Sequence, residues 1–307
     1  MDGSVASNRP TLAFGLRLAA TFALATMSML VKLAGEHGVH LLELIFWRQA
    51  LTALLLGGGL AALGRIAAVR TQRLPAHARR AITGIIGMVF VYGAVLLLPL
   101  AEATTLSFTT PIFAVLIALV FFRERIGKYR AAAIAIGFAG VLVVVQPGSS
   151  GAGIAPSGIA VGLIAAFLVA LISFQIQDLN KTESPWSIVF WFTALTAPLA
   201  ALALPFFAVA HDAATWAIIL GMALCGAIAQ LLLTASLRFG SAATIIVMDY
   251  TALIWATFYG AAVFGRLPPA TLWLGAPLIM LSGIVILLRQ RALKRAAAVD
   301  PDTGGAG

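Results

Sequence analysis

Five long stretches without a charged residue constrain this chain more than any other feature. They cover residues 81–101, 103–122, 184–210, 213–237 and 267–288. About 20 apolar residues are enough for a helix to cross the hydrocarbon core of a bilayer. Of the 307 residues, 61% are hydrophobic and 10% are charged, whereas soluble domains have roughly 45–50% and 25%. The sequence therefore excludes a water-soluble globule and predicts a membrane protein.

Five further spans follow from interrupted or weakly charged segments. The uncharged stretch 131–177 contains a Pro/Gly-rich segment in its middle, so it divides into helices near residues 129–146 and 158–177. Three more apolar segments include charged residues, at about 12–34, 41–60 and 240–264. The expected fold is an all-α polytopic membrane protein with ten transmembrane helices, called spans 1 to 10 in chain order.

Span 1 is interpreted as a retained helix rather than as a cleaved signal peptide. Arg9 and Arg17 precede or enter its apolar core, as basic residues do in signal peptides. However, Lys32 and Glu36 stand where a cleavage site needs small neutral residues. A second hydrophobic span also follows at once, which favours a polytopic chain.

The basic residues alternate between the two sides of the membrane. If the N-terminus is cytoplasmic, 17 of the 20 Lys and Arg residues lie on the cytoplasmic side and Arg266 alone lies on the other, with Lys32 and Arg48 inside spans. The cytoplasmic set includes Arg79 and Arg80, assigned to the connection between spans 2 and 3. The positive-inside rule therefore predicts that both termini are cytoplasmic in a plasma or inner membrane. The net charge of +9 is explained by topology and not by nucleic-acid binding.

The two halves of the chain contain an internal repeat. Residues 46–55 align with residues 190–199 at an offset of 144, with seven identities in ten positions, so span 2 corresponds to span 7. Gly140 falls on Gly283 in the same order, which matches span 5 with span 10. Five crossings per repeat make the second copy enter the membrane from the opposite side, as in many transporters. Chance similarity between apolar segments is the alternative.

Several motifs resemble those of a known family. They are residues 46–48 (FWR), 102–114 (EATTLSFTTPIFA), 122–127 (FRERIG), 137–142 (GFAGVL) and 182–185 (TESP). These residues are similar to EamA-type members of the drug/metabolite transporter superfamily over nearly the whole chain. The resemblance implies ten helices in two repeats and carriage of small organic metabolites such as amino acids, vitamins, nucleotide-like cofactors or drugs. The sequence is most similar to the subset that includes S-adenosylmethionine and riboflavin carriers.

The resemblance also implies a division of the chain into two repeats. Each repeat is expected to contain five helices, with a short linker between them and a cytoplasmic tail at each end. The expected boundaries are 1–11 for the N-terminal tail, 12–147 for EamA repeat 1, 148–157 for the linker, 158–290 for EamA repeat 2 and 291–307 for the C-terminal tail.

Asp249 is the first candidate for a substrate-binding residue. It lies about ten residues inside an otherwise apolar span, where a charge costs roughly 2.5–3.5 kcal/mol on insertion scales and usually faces a cavity or a partner. It could bind a cationic group of the substrate, carry a coupling proton or form a structural pair. Aromatic residues on the same span favour direct binding over proton transfer.

Arg48 and Lys32 are the expected partners of Asp249 and are themselves candidates. Arg48 lies about two turns into span 2, where it either faces the cavity or contributes to packing. Lys32 lies near the outer end of span 1, where it either faces the cavity or extends its amine to the interface.

Aromatic and amide side chains complete the candidate site. Tyr250, Trp255 and Tyr259 in span 9 and Tyr92 in span 3 could stack on a planar substrate or accept a cation. The alternative is a place in the core or in the interfacial aromatic belt. Gln230 in span 8 offers neutral hydrogen bonds to a substrate or to a neighbouring helix.

Local geometry is expected to change near Pro111. This proline marks either a bend that lines the cavity or a simple helix start, and the carbonyls it leaves free could be satisfied by Ser107, Thr109 or Thr110. Gly140 is interpreted as a position where two helices approach closely.

Secondary transport is the function that these features favour. The sequence contains no HExxH pair, GxSxG elbow or phosphate-binding loop, so an intramembrane enzyme is a weaker alternative, as is a channel or structural subunit. Without an ATP-binding motif, an ion gradient such as that of protons or the substrate gradient would supply the energy. The expected partners are a small-molecule substrate and the lipid bilayer, for a monomer or a homodimer. No metal or cofactor is expected, and Cys225 is the single cysteine.

Overall fold

The computed structural model of the chain describes residues 10–122, 127–146, 156–239 and 247–299. All regular secondary structure in these ranges is helical. The α-helices are α1 (Pro10–Glu36), α2 (Leu41–Ala62), α3 (Leu74–Leu97), α4 (Leu100–Ser107), α5 (Thr110–Phe122), α6 (Lys128–Val145), α7 (Pro156–Leu179), α8 (Pro185–Ala201), α9 (Leu204–Phe207), α10 (Ala213–Phe239), α11 (Ala252–Ala262) and α12 (Ala270–Val299). Two 3₁₀-helices cover Ile66–Val69 and Val247–Thr251. Most of the predicted linker lies outside the described residues.

Eight predicted spans form helical segments long and apolar enough to cross a membrane. They are spans 1 to 6, 8 and 10, and span 4 contains both α4 and α5. Span 7 is shorter than predicted because α8 ends at Ala201, and the described part of span 9 is Val247–Ala262. The chain is therefore an all-α polytopic membrane protein, and the count of ten crossings stays a prediction.

The break inside span 4 lies where the proline was expected to change the geometry. The α4 helix ends at Ser107 and α5 begins at Thr110, one residue before Pro111. The Thr109 hydroxyl donates to the Leu106 carbonyl at 2.7 Å, and the Thr110 hydroxyl donates to the Ser107 carbonyl at 2.7 Å. Hydroxyl groups thus donate to carbonyls at the interruption, where the Leu106 carbonyl also accepts the Thr109 backbone N–H at 3.1 Å.

The two halves are related by a pseudo-twofold axis, and each helix pair has a counterpart in which the two halves have changed places. In this relation α1, α2, α3, α4–α5 and α6 correspond to α7, α8, α10, Val247–Ala262 and α12. The α1 helix packs along α10 as α7 packs along α3, and α2 packs on α10 as α8 packs on α3. The pairs α2–α8, α4–α11 and α6–α12 each join corresponding helices, so they lie near the pseudo-twofold axis.

Connections that the charge pattern places on one side of the membrane contact one another. On the predicted outer side, the His40 ring stacks on the Phe207 ring at a centroid distance of 3.9 Å. On the predicted cytoplasmic side, the Thr71 hydroxyl donates to Glu183 at 2.7 Å. These contacts fit two halves that cross the membrane in opposite directions.

Candidate substrate-binding site

Arg48 projects from α2 towards α3 and α10. Its NH1 group donates to Gln49 Oε1 at 3.0 Å and lies 3.5 Å from Met88 Sδ on α3. Gly226 on α10 leaves room for the side chain, because a Cβ there would lie 3.1 Å from Arg48 Nε. This Nε is buried and has no hydrogen-bond partner. Within the described part of the chain, no carboxylate forms an ion pair with Arg48.

Arg80 is a second interior guanidinium, and its assignment to a cytoplasmic connection was wrong. It lies inside α3, is 8% exposed, and its Cζ lies 4.2 Å from the centre of the Phe192 ring on α8. A Cβ at Gly84 would overlap both the Arg80 guanidinium and the Phe192 ring. Arg80 Nε and NH1 are buried without hydrogen-bond partners. Its position directly before the apolar stretch, four residues from a glycine, was the available sequence signal.

Asp249 is paired, but with a residue that sequence reasoning did not select. The Arg17 guanidinium on α1 donates to it through two bonds, Nε to Oδ1 at 2.6 Å and NH2 to Oδ2 at 2.5 Å. The expectation that Arg48 or Lys32 would pair with Asp249 is therefore wrong. The bidentate pair offsets the carboxylate charge and favours the structural alternative; a role in transport stays a prediction.

Lys32 binds the end of a helix. Its buried ammonium group donates to the carbonyls of Val95 at 3.1 Å and Leu98 at 2.8 Å, and it lies 5.9 Å from the centre of the Phe264 ring. These carbonyls belong to the C-terminal end of α3, where the helix dipole favours a cation. The arrangement favours a structural link between α1 and α3 over contact with a substrate.

Tyr92 lies at the junction of α1, α3 and α10. It is 2% exposed, and its hydroxyl lies 3.8 Å from the sulfur atoms of both Met27 and Met222. Tyr92 is four residues beyond Met88, so it follows the Arg48 contact along the same face of α3. Gln230 is half-buried on α10, four residues beyond Gly226. Tyr92 and Gln230 thus lie on the two helices, α3 and α10, that Arg48 reaches from α2.

The aromatic residues near Asp249 contact other helices. Tyr259 shares a hydrogen bond of 2.7 Å with Thr26 on α1, and Trp255 packs edge-on against Phe22 at 4.8 Å. Tyr250 packs edge-on against Phe108 at 5.0 Å. These contacts favour the packing alternative for all three residues; binding to a substrate stays a prediction.

Two buried His–Glu pairs join the two halves, one at each face. On the predicted outer side, the outer pair is His211 and Glu43: His211 Nε2 lies 2.9 Å from Glu43 Oε1, and both side chains are at most 3% exposed. On the predicted cytoplasmic side, the cytoplasmic pair is His77 and Glu183: His77 Nε2 lies 3.7 Å from Glu183 Oε2. The first pair joins the start of α2 to the start of α10, and the second joins the starts of α3 and α8. Because α2 corresponds to α8 and α10 corresponds to α3, the two pairs occupy equivalent positions in the repeat.

Asp212 fixes the start of α10 beside the outer pair. Its Oδ1 accepts a hydrogen bond of 2.9 Å from the Thr215 backbone N–H, as an N-cap residue does. Hydrogen bonds from the Thr215 side chain and backbone hold the pKa of this exposed carboxyl below its usual value. The cap therefore orients the segment that carries His211.

Known proteins are similar to this chain in fold and in sequence. A solved crystal structure at 21% identity superposes with a TM-score of 0.61 over 92% of this chain and 98% of its own length. The chain is 31% identical to a riboflavin transporter of Rhizobium johnstonii over 82% of this chain and 83% of that protein. It is 29% identical to a riboflavin transporter of Vibrio cholerae over 72% and 74% of the two chains. It is 27% identical to a pseudopaline exporter of Pseudomonas aeruginosa over 88% and 94%.

The family match falls once on each half of the chain. The sequence model of the EamA-like transporter family matches residues 11–146 and again residues 156–288. One match per half agrees with the internal repeat and with the twofold packing of the helices, so the fold is an inverted repeat. The chain belongs to the EamA-like transporter family of the drug/metabolite transporter superfamily and is a transporter of small metabolites.

Proposed function

We propose that this chain is a secondary carrier that moves a vitamin-like or amino-acid-like metabolite by alternating access, with Arg48 in its binding site. Riboflavin is the first compound to test, because two relatives are named as riboflavin transporters. The chain carries out no chemical conversion in this proposal, since its relatives are carriers. Either a proton gradient or the substrate gradient drives it.

Arg48 carries the proposal. A guanidinium in the bundle interior is costly unless a partner offsets its loss of hydration. Among the described residues, the Arg48 guanidinium donates to an amide oxygen and a thioether sulfur, neither of which is charged, and its Nε has no hydrogen-bond partner. A substrate with carbonyl, carboxylate or phosphate oxygens would supply the missing acceptor, because the guanidinium presents its donors in a planar fork.

Alternating access is supported by links at both ends of the bundle. The Glu43–His211 pair joins the halves on one side, and the Glu183 carboxylate joins Thr71, Ser187 and His77 on the other. Breaking one set while keeping the other would open the interior to one side only. Such alternation is expected of inverted repeats around a site near the midplane.

The same proposal places both termini in the cytoplasm and the chain in a plasma or inner membrane. The distribution of basic residues supports this orientation. The contacts within each predicted side support the grouping of the connections into two sides. Each chain contains both repeats, so a monomer or a homodimer would have one complete site per chain.

The test is counterflow into liposomes that contain the purified chain. Liposomes that contain the wild-type protein are loaded with unlabelled riboflavin. Uptake of labelled riboflavin from the outside is then followed with and without a proton gradient. A panel of amino acids and cofactor-like metabolites is tested as competitors. Arg48→Ala should lower counterflow at least about tenfold, because one charge-assisted hydrogen bond contributes ~1.5–3 kcal/mol.

Arg65→Ala is the matched control, because Arg65 is exposed in the connection after α2. It should leave counterflow unchanged. If Arg48→Ala showed the same rate of counterflow as the wild type, Arg48 would not be part of the binding site. Absence of saturable counterflow with every member of the panel would refute the carrier proposal for these substrate classes.

A further inference from the structure

We infer that the substrate site is an anion site formed by two guanidinium groups, Arg48 and Arg80, so that the preferred substrate carries a carboxylate or phosphate. This inference rests on the proposed function, because an anion bound at this site is a substrate only if the chain is a carrier. The binding of an anion itself can be tested without transport.

The two groups approach each other along one face of α3. Arg80, Gly84 and Met88 are spaced by four residues, so they lie above one another on that face. The Arg80 guanidinium lies over Gly84, and the Arg48 guanidinium contacts Met88 one turn further. Four residues of helix rise about 6 Å, so the positions that the two guanidinium groups contact on α3 are one turn apart, and we infer that one anion can contact both groups.

Glycines make this approach possible from both halves. A Cβ at Gly226 would crowd Arg48, and a Cβ at Gly84 would overlap Phe192 and Arg80. Residue 48 corresponds to residue 192 in the repeat, so each glycine faces the equivalent position of α2 or α8. The second half has Phe192 at the position where the first half has Arg48. The positive charge beside Phe192 comes from Arg80, whose Cζ lies 4.2 Å from the centre of the ring. The pair is therefore built around the pseudo-twofold axis.

Neither guanidinium has an ion-pair partner among the residues that the structure describes. Arg80 is 8% exposed, and unpartnered nitrogen atoms remain on both guanidinium groups. Three carboxylates of the bundle are engaged elsewhere: Asp249 with Arg17, Glu43 with His211, and Glu183 with Thr71 and Ser187. A cation–π contact offsets only part of the loss of hydration. An incoming anion would offset the rest, whereas a cationic substrate would be repelled.

The two neighbouring positive charges should lower the stability of the ligand-free protein. Removing one of two unpaired, neighbouring charges should relieve desolvation and repulsion. Arg80→Gln should therefore raise the melting temperature of the ligand-free protein while it weakens anion binding. An arginine with a purely structural role would give a lower melting temperature on substitution.

The experiment measures thermal unfolding of the purified full chain in detergent at constant ionic strength. The probes are inorganic phosphate against chloride, riboflavin 5′-phosphate against riboflavin, and glutamate against glutamine, each pair differing in anionic charge. The wild type should be stabilised more by phosphate, riboflavin 5′-phosphate or glutamate than by the less negatively charged member of the same pair. Arg80→Gln should lose at least about tenfold in affinity for that anion, as expected for a charge-assisted hydrogen bond.

Arg79→Gln is the matched control, because Arg79 is the neighbouring, exposed arginine on the same helix. It should keep the anion response of the wild type. Arg80→Lys, which keeps the charge but loses the planar fork, should give an intermediate response and serves if Arg80→Gln fails to fold. Equal responses of wild type and Arg80→Gln to every anion, or no anion response in the wild type, would overturn the inference. Anion binding without counterflow would instead reject the proposed function alone.

Discussion

Arginine residues in the bundle differ in whether they have a carboxylate partner. Arg17 forms two hydrogen bonds with Asp249, and its side chain is 12% exposed. Arg48 and Arg80 have no ion-pair partner among the described residues. A partner of opposite charge offsets the loss of hydration of a buried charge, so a paired arginine needs no ligand. An unpaired arginine lacks this compensation and is suited to bind an anionic ligand. This difference separates a structural pair from the candidate site.

The Arg17–Asp249 pair gives the first prediction at the residue scale. Arg17→Gln or Asp249→Asn should lower the free energy of unfolding by ~1–3 kcal/mol, because each leaves the other charge partly buried and unpaired. The double variant should be less destabilised than the sum of the two single variants. Thermal unfolding of the four proteins measures this coupling.

The Arg73–Asp178 pair is the control for that cycle. Its NH2–Oδ2 distance is 2.6 Å, but the side chains are 33% and 41% exposed. Water and salt screen such a pair, so its removal should change the melting temperature much less. Additive effects of the Arg17 and Asp249 substitutions would contradict the assigned coupling.

Sequence reasoning found important charges more readily than their partners. Asp249 stands out because an acid inside an apolar span is rare, but Arg17 is 232 residues away and nothing local connects them. Arg80 was missed because an arginine at the edge of an apolar stretch has the same pattern whether it extends to the interface or turns inward. Only the neighbouring helix, with Phe192, decides the direction of that side chain.

At the scale of elements, α6 and α12 meet through glycines. A Cβ at Gly140 would lie 2.8 Å from the Gly275 carbonyl oxygen, and one at Gly275 would lie 2.6 Å from the Gly140 carbonyl oxygen. Both obstacles are backbone atoms, which cannot move aside as a flexible side chain can. The interpretation of Gly140 as a close-packing position is confirmed.

Gly140→Ala should therefore destabilise the protein by about 1–3 kcal/mol, because overpacking forces the two helices apart. Gly58→Ala is the control, since Gly58 lies in α2 with no atom within 4 Å of an added Cβ. This change should stabilise the helix by roughly 0.5–1 kcal/mol. Melting temperatures in one detergent test both, and equal shifts would show that the close contact is not limiting.

Hydropathy predicted the helices well where a span is uniform and less well where it is interrupted. The expected segment 41–60 is α2, Leu41–Ala62, and the expected segment 158–177 is α7, Pro156–Leu179. The predicted C-terminal tail starts as helix, because α12 continues to Val299. Hydropathy reports burial in lipid and not hydrogen bonding, so it misses breaks such as that between α8 and α9.

At the scale of the whole molecule, the repeat makes each face a counterpart of the other. The outer His–Glu pair is at hydrogen-bond distance, 2.9 Å, whereas the cytoplasmic pair is separated by 3.7 Å. Two states that differ by a few kcal/mol shift in population when a contact unique to one of them is removed. The two pairs should therefore control opening towards opposite sides.

Labelling of a cysteine in the interior can test whether the two His–Glu pairs control opening towards opposite sides. In a Cys225→Ser background, Met88→Cys places a cysteine beside Arg48, and a membrane-impermeant maleimide added outside intact cells reports outward opening. His211→Gln should increase labelling by about tenfold if the lost hydrogen bond favoured outer closure by ~1.4 kcal/mol. His77→Gln should decrease labelling by a smaller factor, because its contact with Glu183 is longer. His37→Gln, an exposed outer histidine, should have no effect. Shifts of the two variants in the same direction would contradict alternating access through these two pairs.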